Sequence, residues 1–221
     1  MAQEISLESS WRVFDPRTLS PTTMYHLLNA LVVPRPIAWV STIGANGVAN
    51  LAPHSYFTIL SPDPPIVCFS SMGEKDTLRN VRFTRDFVVN VVPEELAEKM
   101  NLTSADFPPD ESEFAFTGLT PLPSLHVRAP RLAESPANLE CRLHHIIEIG
   151  NTPNYVVLGE VVYVHVAERV MRGERVDPSR IRPLGRLSGA GYVAPGTFFE
   201  MPRPTYAGLM AALKAGREDG A

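Results

Sequence analysis

The sequence predicts a mainly β protein: a small antiparallel barrel with a few short helices added. Three observations lead there. Between Pro34 and Asn90, short apolar or alternating segments at 37–42, 48–52, 66–70 and 87–92 are separated by clusters of Gly, Asn, Asp and Pro, the pattern of antiparallel strands joined by turns. Further on, 137–149 and 155–166 form two long β-like runs joined by the turn formers Gly150-Asn151-Thr152-Pro153-Asn154, which reads as the longest hairpin of the fold. Finally, the 221 residues include 21 prolines and show no alternation of strands with long helices, which argues against a helical bundle and a doubly wound parallel sheet.

The elements follow in chain order. Residues 1–30 read as an extended arm and a short helix, with Ser20-Pro21 at its start and Met24, Leu27, Leu28 and Leu31 at helical spacing. Asn46-Gly47 marks a tight hairpin turn, because both residue types tolerate positive φ. Asp76 is a candidate N-cap for a helix over 77–85 that points Leu78 and Val81 inward. A second short helix follows Pro93, with Leu96 and Met100 on one face. The stretch 103–136 is rich in Pro, Ser and acidic residues with weak periodicity; it reads as an irregular excursion that could form a lid. The tail carries a loop over 183–192 and a last helix over 206–214. The length fits one domain over 1–221, with an N-terminal arm of about 1–30 and a C-terminal extension of about 170–221.

Composition narrows the function. With 44% hydrophobic residues, 20% charged residues and a net charge of −4, nothing points to nucleic acid or an anionic membrane as partner. The first residues lack the pattern of a secretory leader, and no segment reaches the roughly 20 apolar residues of a membrane span. A cytoplasmic location is expected. The two cysteines, Cys68 and Cys141, lack metal or redox-motif spacing and read as buried thiols.

The six histidines offer no metal-binding pattern; His144 and His145 are adjacent, so on a strand they point to opposite faces. No G-x-G-x-x-G, Walker A, HExxH or GxSxG motif is present, since Gly185-Arg186-Leu187-Ser188-Gly189 places its serine one position late.

The chain nonetheless carries candidate donors for a phosphate, which needs hydroxyls, backbone N–H groups and cations converging at a helix N-terminus. Ser41 and Thr42 end one strand, Asn50 and Ser55 flank the next turn, and Ser70-Ser71 through Lys75-Asp76-Thr77 lead into a helix. Lys75 beside that N-terminus suits an anion, although Ser71, Asp76 and Thr77 could simply cap the helix around a solvated lysine. Arg35 lies between Pro34 and Pro36, which hold its backbone extended; an anion contact and a solubilising surface role both fit. Arg186, in a Gly-containing loop ahead of Tyr192, could approach an anion or a ring from the other side. His54 adjoins these positions, where a hydrogen-bonded structural role is favoured over a general acid. No catalytic side chain is assigned.

Taken in order, PRPIAWVST, NLAPHSYFTILSPDPPIVCFSS, KDTLRN and DFVVNVV resemble the flavin reductase-like family, the FMN-binding split β-barrel proteins related to flavoredoxin and to the reductase components of two-component monooxygenases. The likeness runs over about 24–166, with weaker echoes in PLGRLSGAGY and PGTFFEMPRPTY. It implies a Greek-key split barrel, a homodimer and FMN near the dimer interface.

Carried over by position, the resemblance implies that Ser41, Thr42, Ser55 and Lys75 contact the FMN phosphate or ribityl chain. Asn50, Ala52, Phe69 and Ser70 would lie near the ring or ribityl chain, and Arg186 near the phosphate. The activity implied is electron transfer from NAD(P)H through FMN to free flavin, a partner oxygenase or another redox acceptor. One departure stands out: where many short nicotinamide-dependent members carry Gly-Asp-His, this chain has Gly150-Asn151-Thr152. That shifts weight toward the flavoredoxin-like branch and keeps open a non-catalytic or differently reduced flavoprotein. A third expectation is a barrel acting on another substrate, with the 103–136 excursion and Tyr192 closing over the ring.

Overall fold

The structure is a computed structural model and describes residues 11–218. In chain order its helices are α1 (Pro21–Leu31), α2 (Asp76–Thr84), α3 (Ala97–Leu102), α4 (Glu113–Thr117), α5 (Pro178–Ile181) and α6 (Tyr206–Glu218). The first ten strands are β1 (Arg35–Pro36), β2 (Ala38–Ile43), β3 (Ala49–His54), β4 (Phe57–Pro62), β5 (Pro65–Met72), β6 (Asp86–Val91), β7 (Pro121–Leu122), β8 (Arg131–Leu132), β9 (Ala137–Ile149) and β10 (Asn154–Val166). Four short ones follow: β11 (Met171–Arg172), β12 (Arg175–Val176), β13 (Gly185–Arg186) and β14 (Tyr192–Val193). The part of the predicted arm before residue 11 lies outside the described residues.

Seven strands form one antiparallel sheet in the order β3-β2-β6-β9-β10-β5-β4. This is the predicted mainly β fold, a Greek-key split barrel: the sheet curls so that edge strand β3 comes back toward β5, and the seam between them stays open along part of its length. The Ser70 N–H donates to the Tyr56 carbonyl (2.9 Å), carrying the β4–β5 ladder one residue past Phe57.

Strand β2 shows why its sequence reads as a continuous apolar run. Side chains alternate across a strand, and here both faces are covered. Ala38 and Val40 point into the barrel with Val67, Phe69, Phe87, Val89 and Cys141, while Ile37 and Trp39 point outward to Leu51, Met100, Phe114, Leu119 and Leu132. The outer cover comes from the 103–136 segment. The expectation of an irregular lid is therefore corrected: this segment contains α4, β7 and β8, and it buries Phe114, Leu119 and Leu132 against the sheet. Its periodicity is weak because each short piece contributes only one or two apolar anchors.

Helix α1 begins as expected, with the Ser20 side chain accepting from the Thr23 N–H and Pro21 in the first turn. Helix α2 plugs one end of the barrel, with Leu78 and Val81 buried. Its N-cap is Lys75 rather than Asp76, and no side chain caps it. Strand β4, which lies in a stretch read as turn and loop, exists because the Pro62–Pro65 turn folds it back on β5. The last helix extends past the expected 214 to 218.

A close approach fixes Gly159 in β10. A Cβ there would stand inside contact distance of the Phe87 ring and 3.2 Å from the Cys141 Cβ. Gly159→Ala is expected to lower stability by about 1–3 kcal/mol through overpacking, read as a fall in the thermal or denaturant midpoint.

Candidate functional site

The open seam between β3 and β5, together with the N-terminus of α2, bounds a cleft of about 690 Å3. Asn50, Ala52 and His54 alternate along β3, so all three take the inward face. Ser70 and Ser71 on β5 and Lys75, Asp76 and Thr77 at the start of α2 form the second wall. The far rim comes from α1, the turn after α3, and the β13–β14 hairpin with Arg186 and Tyr192.

Of the residues singled out from sequence, Arg35, Asn50, Ala52, Ser55, Ser70, Ser71, Lys75, Asp76, Thr77, Arg186 and Tyr192 line this cleft. Ser41, Thr42 and Phe69 do not, and the reason is strand geometry. Ser41 faces outward, donates to the Pro130 carbonyl (2.5 Å) and accepts from Asn90 (3.0 Å). Thr42 faces inward but accepts from Asn80 of α2 (3.0 Å), which covers it. Phe69 is fully buried, its ring 4.6 Å from His54 and 5.3 Å from Phe87.

Of the two readings of Arg35 from sequence, burial excludes the solubilising surface role: the residue is 8% exposed. One terminal nitrogen donates to the Asn29 and Val32 carbonyls (2.9 and 2.8 Å), at the carbonyl-rich C-terminal end of α1, and the other to the Leu187 carbonyl (2.9 Å). It ties α1 to the β13–β14 hairpin across the rim. Its Nε is buried without a partner among the described residues.

Lys75 pairs with Asp106 across the cleft mouth (2.9 Å), where both side chains are largely exposed; solvent screens such a pair, and it can be exchanged for a bound anion. Asp76 pairs with Arg79, and Glu74 with Arg82. Opposite them, the Arg186 guanidinium lies 4.4 Å from the centre of the Tyr192 ring, and the Tyr192 hydroxyl donates to Asn101 (3.0 Å). Arg186 has no carboxylate partner among the described residues.

The deep wall holds a buried polar network. His54 Nδ1 lies 3.1 Å from the Ser70 carbonyl and Nε2 3.4 Å from Thr77 Oγ1, which is 3.3 Å from the Asn50 amide. Glu113, 4% exposed, accepts from the Leu51 N–H (2.9 Å). Desolvation lowers the His54 pKa to about 4, with the Lys75 charge adding to it and the Ser70 hydrogen bond opposing it. Desolvation raises that of Glu113, helped by the Asp76 charge and opposed by the Leu51 N–H.

Sequence reasoning passed over Glu113 because it sits in the stretch read as irregular; the only local signal is an acid beside Phe114-Ala115-Phe116. Asn101 was equally hidden, since a polar residue in a short helix carries no mark of its surroundings. Cys141 is buried, as read from sequence, and its thiol is pushed up beyond any physiological titration.

The model of the flavin reductase like domain matches residues 30–181, and the chain belongs to the flavin reductase-like family. An uncharacterized protein of Aquifex aeolicus is 41% identical over 177 residues, covering 77% of this chain and 89% of that one. Among solved structures, nitrilotriacetate monooxygenase component B from Bacillus cereus superposes with a TM-score of 0.83 at 33% identity, covering 86% of this chain and 98% of that one. The 2-nitrobenzoate 2-nitroreductase of Pseudomonas fluorescens gives 0.82 at 33%, covering 88% and 98%. Among the described residues no helix is long and apolar enough to cross a membrane, and no cluster of potential metal ligands occurs.

His54 has a consequence for pH. Its folded pKa lies below its ordinary 6.5, so between about 6.5 and 4 the unfolded chain binds a proton that the folded one does not. Stability is therefore expected to fall as pH drops through that window, by a ceiling of about 3 kcal/mol. Denaturation midpoints against pH should show a shallower loss in His54→Gln.

Proposed function

We propose that this protein binds FMN in the cleft and acts as a flavin reductase, taking electrons from NAD(P)H and passing them to free flavin or to a partner such as an oxygenase. The observation that carries this reading is the uncapped N-terminus of α2, with Lys75 at its cap, opening into a cleft large enough for a nucleotide-sized ligand. An anion there compensates a lysine that otherwise opposes the helix dipole.

The residues fit the group. Lys75, Thr77 and the first amides of α2 would hold the phosphate, with Arg186 as the second cation. Asn50, Ala52, Ser55, Ser70 and Ser71 would border the ribityl chain and ring, and Tyr192 would cover it from the far rim. The partnerless Arg35 Nε is a further donor on this rim. When bound, FMN supplies the redox chemistry. The chain's own part is to orient it, to exclude water and to stabilise negative charge. His54, neutral near pH 7, is not a proton donor at that pH.

A second reading, an FMN-binding electron carrier fed by another donor, is favoured by Gly150-Asn151-Thr152. That turn joins β9 to β10, and its Pro153 carbonyl accepts from the Gly73 N–H (2.8 Å) beside the α2 start. The visible spectrum of the FMN-loaded protein separates the two readings. Under anaerobic NADH or NADPH, bleaching is expected of a reductase; retained bands that stay coloured support the carrier, and a protein that takes up no FMN refutes both. Lys75→Ala should weaken FMN binding by about 1.5–3 kcal/mol at most, read by titration; unchanged affinity would place the phosphate elsewhere.

The same reading includes a homodimer in the cytoplasm. On α1 and the chain after it, Leu28, Leu31 and Val32 are exposed, and on edge strand β4 so are Ile59 (74%) and Leu60. Arg35 joins the two regions, being bonded to α1 and lying 5.7 Å from the Tyr56 ring centre. Such an apolar edge needs cover. Light scattering should give twice the chain mass, and Ile59→Glu should shift it to the monomer; a monomeric parent would refute the dimer.

A further inference from the structure

The end of the β9–β10 hairpin carries a charged cluster that the proposed function does not use. Strand β5 pairs with β10 only as far as Glu160, so residues 163–166 run on with β9 as their one neighbour in the sheet. With the β7–β8 hairpin, this end bounds a second pocket of about 440 Å3, which shares no lining residue with the first cleft. Among the described residues, three basic side chains line it, Arg131, His165 and Arg169, and no acid does.

A buried acid holds the histidine from behind. Glu140 on β9 is fully buried. Its carboxylate accepts from the Leu125 N–H (2.8 Å) and the His126 N–H (2.6 Å), and its Oε1 lies 2.6 Å from His165 Nε2. Desolvation raises the Glu140 pKa, but the Leu125 N–H, His165 and the His126 N–H outweigh it and hold the acid below the usual carboxylate range. An ionised carboxylate only accepts, so Nε2 carries a hydrogen. The Tyr163 ring packs beside the imidazole, 5.0 Å from centre to centre. The His165 side chain is still 18% exposed, and its Nδ1 has no partner among the described residues.

Each arginine contacts a backbone carbonyl. Arg131 Nε donates to Pro123 (3.3 Å), and a terminal nitrogen of Arg169 donates to Glu134 (3.4 Å). Neither has a carboxylate partner among the described residues. The Glu134 side chain is occupied by the Thr120 N–H (3.1 and 3.2 Å). A pocket of this size is on the order of 10 Å across, about one Debye length at 0.1 M salt, so cations on its walls repel one another. An anion between them relieves that repulsion.

We propose that this pocket is a second anion site, taking a phosphate group, free or as a monoester, through Arg131, Arg169 and Nδ1 of His165. Glu140 is a positioning residue that acts through the imidazole. The two guanidiniums and a charged imidazole bring three positive charges and Glu140 one negative. The surplus of two matches a phosphate dianion rather than a carboxylate. Guanidinium forks suit phosphate oxygens, and the imidazolium gives one N–H to Glu140 and the other to the ligand. Leu122 and Val164 add an apolar wall beside which an esterified group fits. The volume lies within the roughly 300–1,000 Å3 of small-molecule sites. None of this depends on a flavin in the first cleft.

The test is 15N NMR of the His165 imidazole, assigned by the signals lost in His165→Gln, with inorganic phosphate exchanged for chloride at fixed pH and ionic strength. A saturable shift of the His165 resonances is expected. Arg131→Gln and Arg169→Gln change part-exposed or exposed positions, and each should weaken saturation about tenfold or more, the scale of one charge-assisted contact. Lys75→Ala should leave the response as in the parent, which separates this site from the α2 N-terminus. Glycerol 3-phosphate that saturates at similar concentrations supports a monoester site, and saturation by inorganic phosphate alone supports a site for the free ion. Four outcomes overturn the proposal: no saturation in the parent, unchanged affinity in either arginine variant, loss of the response in Lys75→Ala, or acetate acting as well as phosphate.

Discussion

Burial of both faces of β2 is the constraint on which the rest of the molecule depends. A single sheet of seven strands can shelter one face by curling into a barrel, but Ile37 and Trp39 on the other face would then meet water. The 103–136 segment and the chain around Leu184 cover them. The amide of Asn90, fully buried, fastens that cover: its nitrogen donates to the Trp39 carbonyl and Ser41, and its oxygen accepts from the Leu132 N–H and Asn138. Every donor and acceptor of that amide is satisfied, which is the condition for a polar group so deep to be tolerated.

The cleft exists because the barrel stays split. Where β3 and β5 fail to pair, their backbones and inward side chains would be exposed. Helix α2 fills one end of the gap with Leu78 and Val81 and leaves its own N-terminus at the cleft. The helix that completes the core thus also presents unsatisfied amides to the site, so packing and binding share one element. Arg35 performs a related double service on the far rim, bonding the carbonyl end of α1 to the hairpin that carries Arg186 and Tyr192. Its place between two prolines holds the backbone extended, and the guanidinium reaches carbonyls rather than solvent.

Much of the fold and part of the site were legible in the chain. Alternating segments, the Asn46-Gly47 turn and the long 137–166 hairpin pointed to antiparallel strands, and the ordered motifs pointed to the split-barrel family. Lys75 and Thr77 could be placed at the cleft because a helix start is written locally. Ser41 and Thr42 are adjacent on β2 and so face opposite ways, as His144 and His145 do on β9; no single cleft can take both hydroxyls. Glu113 could not be read at all, since nothing local to an acid in a proline-rich stretch says that it will be buried beside Leu51.

The sequence by itself determined the strand periodicity, the helix starts and the family, because these depend on side-chain spacing and backbone preference within a few residues. Tertiary structure alone decided which hydroxyls meet the cleft, that Arg35 is a clamp, and that Asn50, Thr77, His54 and Glu113 form one network. Those four lie on β3, α2 and α4, and α4 meets β3 only once the outer cover has closed over β2. The desolvation that shifts their protonation is a property of the assembled core, with no counterpart in any local stretch of chain.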